Sequence, residues 1–453
     1  MVIFDLVIQG NIVTPNEVLP GGYLAVSQGK IVLVDSGIPP KSLKSFDARG
    51  MWVLPGIIDG HVHSGSQAGG EGIIGITRAA AAGGVTTIAD MPYDDPQPIT
   101  EEHFFTQKVA VVNQQATVDV ALFGTMAKEN GIVQLQAIAD AGACAFKFST
   151  YETHPKRFPR IPPLDLAEAF KTLAQSGLAC HVHCENQEMV ERLLAQQIKN
   201  GWNEPKYHGL SRPPLSESLA ITEVFEVGMK TGARVHVVHC SIGRGIELCE
   251  VYRQQGLHAS IETCIHYLTL SEDDLDRQGA LAKVNPPLRS KEEVENLWSH
   301  LSAGRINFVT SDHIAWGIER KRNPNFHQNA SGFPGLESLL PAFYTGCEKH
   351  NLPITAVANY LSEKPARHFG LYPQKGALLA GADADITLLK DGEFIFNAVD
   401  TQTISKWSPY NGTKFFGRIA GTFAHGVQVW DGTQILAKPG HGHFVRPIGS
   451  QSD

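Results

Sequence analysis

Apolar, β-branched runs recur along the middle of the chain and alternate with segments of helical periodicity. Eight such runs read LPGIIDGHVH, GVTTIADMP, TVDVALFGTM, GACAFKFST, LACHVHCEN, ARVHVVHCS, ASIETCIHYLTL and INFVTSDH. Stretches between them, such as DLAEAFKTLAQSGL, place apolar residues three and four positions apart, which is typical of amphipathic helices. Strands that alternate with helices in this way predict an α/β fold, a (β/α)8 TIM barrel, with a doubly wound sheet as the alternative.

The two ends of the chain have a different pattern. Residues 1–55 and the tail from 376 consist of short apolar runs separated by Gly, Pro and Asn, as in FDLVIQGNIVT and AGTFAHGVQVWDG. Closely spaced turns of this kind predict short strands rather than helices. We therefore expect a small β-sandwich domain formed from residues 1–54 and 376–453, and a barrel domain formed from residues 55–375.

Charge and composition exclude several classes of partner. The net charge of -8 is spread along the chain, and no block of Lys and Arg suited to nucleic acid or an anionic membrane is present. No apolar run approaches the roughly 20 residues of a membrane span, and the start MVIFDLVIQGN does not resemble a signal peptide. We expect a cytoplasmic protein. The odd number of cysteines, seven, favours buried free thiols over disulfides.

Polar residues end five of the predicted strands. In a (β/α)8 barrel the carboxyl ends of the strands meet at one rim, where the chemistry is built. Each residue alone has a structural explanation, such as a hydrogen-bonded core histidine or a helix cap, but burying so many unpaired polar groups would cost about 1–3 kcal/mol each. A divalent metal such as zinc explains them together. The residues are His61, His63, Lys147, His181, His183, His236, His239, Asp312 and His313.

These motifs resemble those of the cyclic amidohydrolases, the branch that includes allantoinase, dihydroorotase, hydantoinase and dihydropyrimidinase. The resemblance runs nearly end to end. It rests on LPGIIDGHVH (54–63), GGVTTIADMP (83–92), AFKFS (145–149), HVHCEN (181–186), SRPPLSESLAI (211–221), HVVHCS (236–241), IETCIHYL (261–268), KVNPPLR (283–289), VTSDHIAW (309–316), SGFPGLES (331–338) and GADADITLL (381–389).

The resemblance implies a centre of two divalent ions, with zinc favoured over manganese or cobalt. His61 and His63 would bind the more buried ion, and His183 and His239 the other. An ammonium group has no lone pair to offer a metal. Lys147 would instead carry a carbamate derived from CO2 that bridges the two ions.

The resemblance also implies a reaction. Asp312 would bind the first ion, accept a proton as metal-bound hydroxide attacks the amide carbonyl, and return the proton to the leaving nitrogen. His181 and His236 precede the matched ligands by two and three residues and are assigned to the core or to contacts behind the ligands. The expected activity is hydrolysis of a C–N bond in a cyclic amide or ureide.

Several positions bear on the substrate. Dihydroorotase-like sequences commonly read H-x-H-x-R and M-P-N, where this chain has Gly65 and Tyr93, so dihydroorotate is disfavoured. The Met-Pro dipeptide, HVHCEN and GFPGLE are closest to allantoinase, although the glycine-rich segment SGSQAGGEG departs from the family pattern. The ranking is an allantoinase-like ureide hydrolase first and a hydantoinase or dihydropyrimidinase second.

Two further residues are predicted to contact the substrate. Asn285 follows the seventh strand and its amide can donate and accept, although it can equally serve as a turn residue before two prolines. Tyr151, four residues after Lys147, is a candidate oxyanion donor. The basic segment 151–163 either covers the site or forms a solvated loop.

Two alternatives differ in class. A catalytically silent scaffold would have lost metal ligands, whereas all the ligand positions here are filled. A metal-dependent deaminase on the same barrel would release ammonia, and Lys147 and NPPLR weigh against it. The resemblance implies a homo-oligomer, a homotetramer or a dimer.

Overall fold

The computed structural model describes residues 3–67 and 69–448. The strands are β1 (Phe4–Val13), β2 (Val18–Ser27), β3 (Lys30–Asp35), β4 (Ser42–Pro55), β5 (Ile57–His63), β6 (Val85–Asp90), β7 (Asp119–Gly124), β8 (Ala145–Ser149), β9 (Ala179–His183), β10 (Arg234–Val237), β11 (Ala259–Cys264), β12 (Phe308–Thr310), β13 (His313–Ile314), β14 (Ile386–Ile395), β15 (Lys414–Ala424) and β16 (Val427–Trp430).

Helices fill most of the connections between the central strands. The α-helices are α1 (Gly72–Ala82), α2 (Glu102–Gln115), α3 (Leu135–Ala141), α4 (Pro163–Ala174), α5 (Gln187–Asn200), α6 (Tyr207–Ser211), α7 (Pro214–Thr231), α8 (Gly243–Gln254), α9 (Ile265–Thr269), α10 (Glu272–Gln278), α11 (Lys291–Ser302), α12 (Leu336–Lys349), α13 (Thr355–Ala358) and α14 (Lys364–His368). Shorter 3-10 helices span Gly131–Gln134, Gly279–Ala282, Ile318–Lys321, Phe326–Gln328 and Ala398–Asp400, and a π-helix spans Asn359–Glu363.

The central strands form the predicted barrel. Strands β5 to β12 lie in chain order in one sheet, and each pairs in parallel with the next. The ring closes because β13, which follows β12 after two residues, pairs in parallel with β5, with His313 opposite Val62. Closure therefore places the chain around Asp312 beside the end of the first barrel strand.

The two chain ends meet in a second sheet. Its seven strands have the order β16-β15-β14-β4-β1-β2-β3, so strands from both termini pair side by side through β4 and β14. The backbone of Ile31 also hydrogen-bonds to Gly381 and Ala382, which brings the β3 edge against the chain before β14. The sheet thus folds over its own apolar core. The division into residues 1–54 with 376–453, and 55–375, stays a prediction.

Local signals position the helix that follows the strand of His183. Asn186 ends the turn after β9, and its side chain accepts a hydrogen bond from the backbone N–H of Met189, which caps α5. Gly201 ends the same helix at φ 70°, a conformation that costs glycine little.

All seven cysteines lie in the described part of the chain, where they are buried and unpaired, as expected for free thiols.

A buried ion network joins the barrel to the terminal sheet. The Lys375 ammonium contacts Asp119 on β7 and lies 2.9 Å from Asp383 and 2.8 Å from Asp385, which precede β14. His425 adds a contact of 3.0 Å to Asp119. The pKa of Lys375 is raised by its three carboxylate neighbours, against the effect of burial. The ammonium holds three buried carboxylates together.

Replacing Lys375 with methionine is expected to destabilise the protein by about 3–5 kcal/mol, because it leaves uncompensated carboxylates in the interior. Urea unfolding followed by tryptophan fluorescence measures the change. Lys30→Met is the matched control, since Lys30 pairs with Asp383 at 2.5 Å but is 44% exposed, and an exposed pair contributes about 0–1 kcal/mol. Equal effects of the two substitutions would contradict this account of the network.

Candidate metal centre and substrate pocket

The barrel brings the six predicted metal ligands to one rim. Each lies at or just beyond the carboxyl end of a parallel strand, where neighbouring side chains converge. The positions are His61 and His63 on β5, Lys147 on β8, His183 on β9, His239 after β10, and Asp312 between β12 and β13. All six line one pocket.

Three of these side chains form a compact first group. The Nε2 atoms of His61 and His63 lie 3.3 and 3.2 Å from the same oxygen, Oδ1 of Asp312. Two imidazole nitrogens and one carboxylate oxygen at such spacing could hold a divalent ion. The H-x-H spacing on one strand produces this arrangement, as the sequence predicts.

The other three extend the group across the rim. His183 Nδ1 and His239 Nε2 are 2.9 Å apart, and Lys147 Nζ lies 3.5 Å from His61 Nε2. Lys147 therefore sits next to the first group, on the strand beside that of His183. This donor set fits a pair of ions, provided that the lysine carries an anionic group.

The protonation states suit metal binding. Burial lowers the pKa of His61 and of His239 well below the ordinary value, so both rings are neutral, which is the form that binds a metal. Burial also lowers the pKa of the Lys147 amine to about 8, against the effect of Glu262 and Asp312. A buried lysine with a lowered pKa is available as a free amine, the form that reacts with CO2.

The backbone is strained at two of the ligand positions. His239 has φ 39° and Asp312 has φ 49°, in the left-handed region that non-glycine residues seldom adopt. Such strain persists only where the surrounding structure imposes it, and it is common at active sites. It turns both side chains out of the strand direction and into the pocket.

The pocket beside these ligands has a volume of about 140 Å³ and a mixed lining. One wall is aromatic, since Tyr93 stacks on Phe158 at 3.9 Å between ring centroids and Trp316 lines the same space. Asn285 also lines the pocket, and its Oδ1 is buried without a hydrogen-bond partner among the described residues. An unsatisfied amide oxygen in a small pocket is suited to receive a ligand N–H.

The model of the amidohydrolase family matches residues 52–429. The chain belongs to this family. It is 35% identical over 452 residues to an allantoinase of Rubrobacter xylanophilus, with 98% of each chain covered, and 30% identical to an L-hydantoinase of Paenarthrobacter aurescens, again covering 98% of each. Among solved structures, the L-hydantoinase (dihydropyrimidinase) from Arthrobacter aurescens superposes with a TM-score of 0.94 at 30% identity, covering 98% of this chain and all of the other.

Sequence reasoning missed two carboxylates in this amidohydrolase. Each forms a hydrogen bond with a predicted metal ligand, on the side of the ring away from the rim. Glu262 Oε1 lies 2.8 Å from His61 Nδ1, and Glu185 Oε2 lies 2.8 Å from His183 Nε2. Each fixes the ring so that its other nitrogen faces the rim. The available signal was an acidic residue inside the apolar strand IETC and another in HCEN, two residues after His183.

Glu262→Gln is expected to weaken metal binding about 10–100-fold, because the orienting carboxylate raises the basicity of His61. Competition with a chromophoric chelator measures the affinity of the variant. Glu247→Gln, at an exposed residue paired with Arg244, serves as the control and should leave the affinity unchanged. Equal metal affinity in the Glu262 variant would show that His61 is oriented by other contacts.

Tyr151 is the predicted site residue that does not reach the pocket. Its ring packs under the guanidinium of Arg212 at 4.6 Å, and it is absent from the lining of the pocket among the described residues. The segment that follows does cover the site, because Phe158 lies against Tyr93 and Arg157 donates a hydrogen bond of 2.7 Å to the carbonyl of Ser66. The role of Tyr151 as an oxyanion donor stays a prediction.

His181 and His236 lie inside the barrel beneath the rim. Their rings stack at 4.2 Å between centroids, and His236 Nε2 lies 3.1 Å from Glu262 Oε2. They therefore sit behind Glu262 and away from the pocket lining.

None of the helices within residues 3–67 and 69–448 combines the length and the apolar character needed to cross a bilayer.

Proposed function

We propose that this amidohydrolase opens the ring of a small cyclic amide or ureide by hydrolysis of a C–N bond, with an allantoin-like ureide as its preferred substrate. The observation that carries the proposal is the approach of His61 Nε2 and His63 Nε2 to within 3.3 Å of Asp312 Oδ1, at the edge of a pocket lined by an amide oxygen without a partner among the described residues. Relatives named allantoinase and L-hydantoinase support the reaction class.

The residues fit a centre of two divalent ions, with zinc favoured over manganese and cobalt. His61, His63 and Asp312 would hold one ion, and His183 and His239 the other. When bound, such ions lower the pKa of water and polarise a carbonyl group. Lys147, as a carbamate, would supply the anionic bridge that neutral histidines cannot provide.

The other side chains bind the substrate and handle the proton. Asp312 would take up the proton released in the attack on the carbonyl and deliver it to the leaving nitrogen. Asn285 would accept a ring or ureide N–H through its unpaired Oδ1. The ring pair of Tyr93 and Phe158 would cover a planar ring and exclude water from it.

Two positions support a neutral substrate over dihydroorotate. A Cβ atom at Gly65 would lie 2.3 Å from Asp94 Oδ1, so the site leaves no room for an arginine there. Tyr93 is committed to its stack on Phe158. Hydantoins are the second candidate class, because the aromatic wall with Trp316 suits an apolar ring substituent.

The test is a panel of cyclic amides offered to protein loaded with zinc or manganese in bicarbonate: allantoin, 5-benzylhydantoin, dihydrouracil, dihydroorotate and a small imide. We expect kcat/KM to be highest for allantoin, with Asp312→Asn protein as the background control. Highest turnover of 5-benzylhydantoin would favour the second class. Turnover of dihydroorotate alone would contradict both.

A metal assay separates the enzyme from a silent scaffold. The enzyme should retain divalent metal in stoichiometric amounts after gel filtration, whereas a scaffold should retain none and open no ring. The cytoplasmic location and the homotetramer or dimer stay predictions of the same proposal.

A further inference from the structure

A second pocket opens at the opposite end of the barrel from the metal centre. It has a volume of about 400 Å³ and lies where β10, β11 and β12 begin. Five basic residues contribute to its lining: Arg234, His258, Lys364, Arg367 and His368. The face of a barrel at the amino ends of its strands usually contributes to stability rather than to chemistry. Such a concentration of basic groups there is unexpected from packing alone.

Most basic groups of this floor pocket lack a carboxylate partner. No Asp or Glu belongs to its lining among the described residues. Lys364 Nζ reaches the carbonyl of Ile306 at 3.3 Å, and Arg234 Nη1 reaches the carbonyl of Gly177 at 2.8 Å. Arg367, by contrast, has an acidic partner, at 2.7 Å from Glu363. Arg234 and Lys364 therefore face the floor pocket with only neutral acceptors among the described residues.

A larger groove elsewhere on the barrel shows the contrast. This groove, beside Trp298, has a volume of about 460 Å³, and four Lys and Arg side chains contribute to its lining. There, every basic side chain is paired with a carboxylate: Arg277 with Asp274, Lys291 with Asp273, Lys349 with Glu295, and Lys414 with Glu393. The basic residues of the groove beside Trp298 are thus paired with carboxylates, whereas Arg234 and Lys364 of the floor pocket are not.

The protonation behaviour of the floor pocket agrees with its geometry. Burial, helped by Arg253, lowers the pKa of Lys364 to about 8. Burial and the charge of Arg234 lower the pKa of His368 to about 3. Burial is the main cause of both shifts, and the neighbouring arginines add to it in the same direction.

The histidines above the pocket form a packed cluster whose ring nitrogens lie close enough together to hold a metal ion, but most of these nitrogens already have partners. His368 Nε2 lies 2.8 Å from His181 Nε2, which is a hydrogen bond between neutral rings. The His181 ring is tilted by 36° against that of His236, whose two ring nitrogens already contact Ser260 and Glu262. Four of the six ring nitrogens in the cluster thus have partners. The groups available to a ligand are therefore those of Arg234, Lys364 and Arg367.

We propose that the floor pocket binds a phosphate group, either free phosphate or the phosphate of a small ester. A guanidinium offers paired N–H donors that match phosphate oxygens, and an ammonium adds a point charge. A phosphate dianion balances two unpaired cations more closely than a single carboxylate does. The site is separate from the metal centre, since it lies at the other end of the strands.

Titration calorimetry on the metal-loaded, full-length protein tests the proposal at constant ionic strength. The probes are inorganic phosphate, AMP and malonate. We expect the Kd for phosphate to rise about tenfold or more in Lys364→Gln/Arg367→Gln, and to stay unchanged in the matched control Lys291→Gln/Lys349→Gln. Lys364→Arg should retain binding because it keeps the charge.

The outcomes separate the sources of the anion. Tighter binding of AMP than of phosphate supports an ester, and equal binding supports free phosphate. Equal binding of malonate would overturn the assignment to phosphate. An unchanged Kd in the floor variant, or no binding by the unmodified protein, would overturn the site itself. Melting temperature and metal content establish that each variant is folded.

Discussion

Replacing Lys147 with alanine is expected to lower kcat about a thousandfold or more and to reduce bound metal, because the proposed centre would lose the carbamate that bridges its two ions. Lys147 is 1% exposed and lies 3.5 Å from His61 Nε2. The remaining donors of the pair, apart from Asp312, are imidazole rings, which supply no negative charge. Metal content by atomic absorption and steady-state turnover of the best substrate measure the two effects.

Chemical rescue gives the substitution a sharper readout. Truncation at Lys147 leaves a cavity at the rim, and a short carboxylic acid such as propionate could occupy it and supply the missing bridge. Partial recovery of turnover with propionate, but not with propylamine, is expected. Lys291→Ala, at a lysine that is 71% exposed, is the control and should need no rescue. Undiminished turnover of the Lys147 variant would exclude the carbamate.

Much of the fold could be predicted because it depends on local pattern. The alternation of β-branched runs with helical periodicity sufficed for the barrel, since each strand and helix carries its own signal. The H-x-H pair on β5 placed two nitrogens on one side, and the structure brings them to Asp312. The small β domain expected from the two chain ends is also present. Its seven strands form one sheet, because β4 from the first part of the chain pairs with β14 from the last part.

The rest depends on contacts between distant segments, which one sequence does not reveal. Glu262 lies 201 residues from His61 in the chain, and nothing near either residue indicates their hydrogen bond. Tyr151 lies close to Lys147 in sequence, but its ring packs against Arg212, which comes from the turn before α7. Closeness to Lys147 in sequence was therefore not enough to predict that Tyr151 lines the pocket. Phe158, further along the same segment, does line it and stacks on Tyr93.

Asp312→Asn is expected to lower kcat about 100- to 10,000-fold, the range by which a general acid or base contributes. The substitution keeps an oxygen that can approach His61 and His63 but removes the carboxylate that is proposed to accept and return the proton. Metal content should therefore fall much less than in the Lys147 variant. Asp273→Asn, at an exposed residue paired with Lys291, is the control.

The dependence on the leaving group distinguishes proton transfer from simple metal binding. If Asp312 delivers a proton to the leaving nitrogen, substrates whose nitrogen leaves readily as an anion need that proton less. The Asp312 variant should then lose less activity towards a cyclic imide than towards a hydantoin or a ureide. An equal loss on all three, accompanied by loss of metal, would assign Asp312 to metal binding alone and leave the proton without a carrier among the six residues of the rim.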